Sequence, residues 1–130
     1  MKKLWITAIL VFMLMPISLL LASDKDVILA ELERLNIQIS TDIQPYETKI
    51  PTEFNGQYEA ILKSVCQQGG YDISSYAGKK AMTVNLPIEN ITDQQFNIVV
   101  FSCEERIACA YIVDKDSVPG MFAVNEIARE

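Results

Sequence analysis

The chain has no histidine among its 130 residues. That excludes a Ser-His-Asp or Cys-His nucleophile built within this chain. It also removes the commonest zinc ligand and the usual proton shuttle at neutral pH. Positive charge is scarce too, with 11 basic residues against 17 acidic ones. Two of the basic residues, Lys2 and Lys3, stand in the N-terminal leader, which holds no acid, so residues 23–130 carry nine against 17, a net −8. This balance disfavours nucleic acid and anionic headgroups as partners, since both need cations to meet them. It suits solubility, and the acids are scattered along the chain as a solvated surface rather than gathered into a cation site. There is no internal repeat and no low-complexity tract.

Cysteine is sparse and odd in number: Cys66, Cys103 and Cys109. An odd count in an exported chain leaves at least one thiol free or paired between molecules. Cys103 and Cys109 flank a hairpin tip at Glu104-Glu105-Arg106. A two-residue turn puts them on opposite faces of the hairpin and a three-residue turn puts them on a diagonal, ~7–8 Å apart. A disulfide needs Cβ atoms about 3.8 Å apart, so a Cys103–Cys109 bridge is disfavoured. We expect three packed thiols, since cysteine often behaves as a small hydrophobe. The alternative is one bridge from Cys66 to Cys103 or to Cys109 across a helix–sheet interface.

What is present begins with a leader. Met1-Lys2-Lys3 precedes an apolar run from Leu4 to Leu21, and no charge follows until Asp24. Basic start, apolar stretch and small-residue exit at Ala22-Ser23 make a secretion signal. The run of 18 residues is also just long enough to span a bilayer. We expect cleavage, with a retained single-pass anchor as the alternative. Either way residues 1–22 place the domain outside the cytoplasm, secreted or held at the membrane. The Leu-Ala-Ser ending lacks the cysteine a lipoprotein would need.

Residues 23–130 are the size of one domain. Ser23 can cap a helix over Asp24–Leu35, with Ile28, Leu32 and Leu35 as one stripe and Asn36 as its stop. Ile37–Ile50 alternates and is interrupted by Pro45, which predicts an edge strand or two short pieces. Pro51-Thr52-Glu53 opens a second helix, with Phe54, Tyr58, Ile61, Leu62 and Val65 as its apolar stripe and Gly69-Gly70 as its end. Tyr71–Lys80 reads as a compact loop, capped by Asp72 and Ser74 and closed by a left-handed Gly78. A half-buried strand around Met82, Val84 and Leu86 follows, then Phe96–Ser102 and its return Ile107–Val113. Met121, Phe122 and Val124 finish the domain. The predicted class is α+β: a signal or anchor helix, then two helices packed on a small antiparallel sheet that ends in a three-strand meander.

The segments Ile50-Pro51-Thr52-Glu53-Phe54 and Gln67-Gln68-Gly69-Gly70-Tyr71-Asp72-Ile73-Ser74-Ser75-Tyr76-Ala77-Gly78-Lys79 resemble the signature of the bacterial family called domain of unknown function 4830. The likeness spans roughly Glu31 to Phe122. It implies a short exported or anchored chain, and since the family carries no assigned activity it implies no catalytic residue and no cofactor.

Several patterns carry chemistry only weakly. Asp114, Asp116 and Ser117 hold part of a calcium loop, and a solvated turn explains them better. No acid pair can be singled out for glycoside hydrolysis. Asn90-Ile91-Thr92 matches a glycosylation sequon and is taken as chance. The candidate binding residues are Tyr71, Asp72, Ser74, Tyr76 and Lys79, because exposed aromatic loops are recognition surfaces. The same residue types are those a tight loop needs for its own structure. The function expected is a non-enzymatic binding module of the cell envelope, with a protein, peptide or envelope component as partner, no nucleic acid, and membrane contact through the leader only. The alternatives are a small carboxylate-based hydrolase and an accessory module of a membrane-anchored complex.

Overall fold

The computed structural model describes residues 23–39, 42–89, 96–114 and 120–127. The leader at 1–22, the sequon at 90–92 and the calcium-loop candidates Asp116 and Ser117 lie outside the described residues. Among those described, no helix is long and apolar enough to cross a membrane.

Helix α1 runs Asp24–Arg34. The Ser23 hydroxyl accepts the Asp26 amide at its start, and Asn36, at φ 58°, ends it in the left-handed conformation that asparagine tolerates. Its Ile28 and Leu32 are buried. Among the described residues of the alternating segment Ile37–Ile50, only Tyr46–Lys49 becomes a strand, β1. Ile37 and Ile39 pack against the core beside α1 instead.

Helix α2 runs Gln57–Gln68, with Gly56 as its N-cap. The expected start at Pro51 is therefore corrected. The carbonyls of Ile50 and Pro51 both accept the Gly78 amide, and the Ile50 amide donates to Lys79. Carbonyls committed to a neighbouring loop are not free to start a helix. Phe54 precedes the helix and packs on the core from outside it. A 3-10 turn follows at Ile73–Tyr76, then β2 Lys80–Pro87, β3 Phe96–Cys103, β4 Arg106–Asp114, β5 Met121–Ala123 and a short helix α3, Val124–Ile127.

The sheet has five antiparallel strands in the order β1-β2-β3-β4-β5, each paired with its sequence neighbour. The α+β class holds, and the meander is two strands longer than expected. The two long helices cover opposite faces. Against α1 lie Val84, Leu86, Ile98, Val100, Ala110 and Ile112. Against α2 lie Ala81, Val99, Cys103, Cys109 and Tyr111. In the half-buried strand expected around Met82–Leu86, Val84 and Leu86 are buried and Asn85 is exposed, and the one departure is Thr83, which is buried under α2's face of the sheet. Ser102, also buried, donates its hydroxyl to Asp24 at 3.0 Å and so fixes the start of α1 to β3.

The β3–β4 hairpin turns through Glu104 and Glu105 alone, at φ 53° and 64°. Two positive φ values in a two-residue loop define the turn whose twist matches the strands. Cys103 pairs with Arg106 and Ser102 with Ile107, yet Phe101 pairs with Cys109, so Ala108 is an extra residue on β4. This β-bulge shifts every later residue of β4 to the other face. Cys103 and Cys109 thus share the α2 face despite the two-residue turn. Cys109 meets Cys66 of α2 in a disulfide, while Cys103 remains a buried free thiol. The expectation of three thiols is corrected for that pair.

The bridge spans 43 residues of sequence, a loop whose closure constrains the unfolded chain by about 4 kcal/mol. Replacing both cysteines, Cys66→Ala with Cys109→Ala, is expected to lower the unfolding free energy by about 3–4 kcal/mol in urea titration. In the hairpin, Glu105→Gly is expected to raise stability by about 1 kcal/mol, since glycine takes the left-handed conformation without the penalty of a side chain.

Candidate functional site

A groove of about 290 Å³ opens between α2 and the β1 side of the sheet. Tyr46 of β1, Tyr58 of α2, Phe101 of β3 and Tyr111 of β4 supply its aromatic walls. Thr48, Thr83, Asn85 and Lys49 supply polar atoms along it. Each wall has a local cause. Tyr46 and Thr48 share one face of β1 by the two-residue period of a strand. Phe101 and Tyr111 come to the same face only because of the Ala108 bulge, and their rings lie 6.0 Å apart at a tilt of 52°. The helical spacing assigns Tyr58 to the core-facing stripe. It lies one turn before the buried Leu62, and it is 55% exposed, as Tyr46 is 50% exposed.

The groove is amphipathic. Burial pushes the Tyr111 phenol well above its ordinary range, with Tyr58 and Tyr46 beside it adding to the shift. The hydroxyls of Thr48 and Thr83 are hydrogen-bonded at 2.6 Å. Neutral hydroxyls among aromatic faces suit apolar or aromatic side chains with a polar edge. No carboxylate lines the groove. A second depression of about 590 Å³, bounded by Leu29, Ile37 and Ile39 among others, holds one acid, Glu33. Neither supplies the acid pair that a carboxylate hydrolase needs. Among the described residues, no group of His, Cys, Asp or Glu can hold a metal ion.

Of the loop residues singled out in the sequence, Asp72 and Ser74 pair with each other, while Tyr71 and Lys79 find their partners outside the loop. Asp72 accepts the hydroxyls of Ser74 and Ser75, which hold its carboxyl below the usual range. Lys79 pairs with Glu104 at 2.7 Å, which raises its ammonium, and lies 5.9 Å from the centre of the Tyr76 ring. Ile73 is fully buried. Tyr71 packs against both cores and accepts a hydrogen bond from Arg34 at 3.2 Å. Gly78, at φ 76°, closes the loop as expected. The groove has no local signal in the sequence. Phe101 and Tyr111 were visible as strand residues, but their common face depends on a bulge that no turn residue announces.

No family model, curated protein or solved structure matches the chain.

The Tyr71 phenol is pushed up to about 12, chiefly by burial and then by Glu31. An acid that holds its proton more tightly when folded contributes full stability below the unfolded value near 10 and loses it as pH rises towards the folded value. The unfolding free energy is therefore expected to fall between pH 10 and 12. Tyr71→Phe should flatten part of that decline in urea titrations, leaving the part due to Tyr111, whose shift has the same sign.

Proposed function

We propose that the protein is a non-enzymatic binding module of the extracytoplasmic space, and that the groove between α2 and β1 is its ligand site. The observation that carries this reading is the exposure of Tyr46 and Tyr58 over a floor made by the half-buried Phe101 and the buried Tyr111. Two large aromatic side chains half in water, facing a depression with paired hydroxyls, are costly to leave uncovered and well suited to a partner. The absence of histidine from the chain and of acids from the groove weighs against the hydrolase alternative. The leader at 1–22 supports export, secreted or anchored. In this reading the Tyr71–Lys79 loop is the clamp that fixes the end of β1 through the Ile50, Gly78 and Lys79 backbone, and contact with the partner falls to the groove.

Site-specific photocrosslinking in intact cells tests this. With benzoylphenylalanine in place of Tyr58, a discrete crosslinked partner is expected. With the same residue in place of Ser75 on the loop, none is expected. A partner captured from the loop and not from the groove would move the site, and the same faint smear from both would remove it.

A further inference from the structure

Among the described residues, strand β1 lies at the end of the sheet, paired on one side only, by β2. The Ile50 amide donates to Lys79, the residue directly opposite it when the β1–β2 register is continued. In an antiparallel ladder, residues that exchange hydrogen bonds alternate with residues that do not. Ile50, Thr48 and Tyr46 therefore turn their backbone groups towards β2. Glu47 and Lys49 turn theirs away from the sheet, as two amides and two carbonyls along an open edge. The side chains alternate in the opposite sense, with Tyr46 and Thr48 entering the groove. Open backbone groups and an aromatic groove thus run along one strand, at the spacing an added strand would use.

We infer that the groove takes an extended peptide that adds to β1 as a sixth, antiparallel strand, placing every second side chain between Tyr46 and Tyr58. The inference rests on the groove reading and names its ligand class. Charge selects the occupant. Residues 23–130, at net −8, repel a second copy and steer basic segments towards the domain at long range, while Lys49, the one charged residue lining the groove, keeps the side chains that enter it apolar. Peptide residues opposite Tyr46 and Thr48 point apolar side chains into the groove and their own amides away from β1. Residues opposite Glu47 and Lys49 bond to β1 through their amides and present lysine, serine or threonine outside. The ligand is accordingly a basic peptide with apolar residues at alternate positions.

The test uses the full chain in detergent and a displayed library of peptides about nine residues long, half alternating apolar residues with Lys, Ser or Thr, half of the same composition scrambled. The alternating half is expected to be enriched. Binding of an enriched peptide should weaken about tenfold or more with Tyr58→Ala. Hydrogen exchange at the Glu47 and Lys49 amides should slow on binding, and exchange at Tyr46 and Thr48 should not change. N-methylation of the peptide at its polar positions should abolish binding, whereas N-methylation at its apolar positions should be tolerated. Enriched peptides that need Tyr58 yet leave Glu47 and Lys49 exchanging freely, and that tolerate either methylation pattern, would overturn strand addition and leave the groove reading standing. Enrichment of neither half, or binding indifferent to Tyr58→Ala, would sink both. Slow exchange at Glu47 and Lys49 without peptide, in a chain that sediments as a dimer, would assign the edge to a second copy and overturn the peptide.

Discussion

Between Phe101 and Ser102 the β3–β4 ladder slips by one residue, with Ala108 as the extra member. A strand has only two faces, so a slip of one residue exchanges them for everything that follows. Without it, the pairing set at the hairpin would place Cys109 opposite Val100 and Tyr111 opposite Ile98, on the α1 side. With it, Cys109 meets α2, where Cys66 is placed to bond it, and Tyr111 joins Phe101 beneath Tyr58. The bulge thus decides the covalent link between helix and sheet and also the floor of the groove. Ala108 is fully buried, and its methyl group is small enough for the crowded extra position.

The second dependence is the covering of both faces. β4 is buried without a break from Ala108 to Ile112, and β3 from Ile98 to Val100. Such strands cannot leave a side in water, and the sequence has two amphipathic helices to cover them. α1 is held at its start by Ser102 and Asp24, and α2 by the disulfide. Tyr71 touches both cores, so the two layers are joined at one residue as well as through the sheet.

Much of this architecture was legible in the residues. The Ser23 cap, the Asn36 stop, the Gly69-Gly70 end and the Gly78 turn are local devices whose chemistry lies within a few residues, and each appears where its chemistry puts it. Runs such as Ile98-Val99-Val100 and Ala108-Cys109-Ala110-Tyr111-Ile112 also state in plain order that both sides are apolar. Taken as strand propensity alone, that pattern leaves open which helix covers which face. The start of α2 was misplaced because Pro51 has the chemistry of a first helical turn, while its carbonyl answers to Gly78 at a distance in sequence. The groove lay furthest from view. It needs five separated segments and one bulge, and Tyr58 has the same spacing as a core residue until the neighbouring surface is known.

The disulfide closes a covalent ring from Cys66 to Cys109 that contains the Tyr71–Lys79 loop, β2 and β3. α1, β1 and most of α2 stand outside the ring, towards the N-terminal end. A load entering from that end meets non-covalent contacts only, until it reaches Cys66. Helix α1 and strand β1 would be drawn off first, while β2, β3 and the adjoining part of β4 stay tethered within a fixed contour. Since β1 is one wall of the groove, a strand that yields early under such a load is also one that shapes the groove.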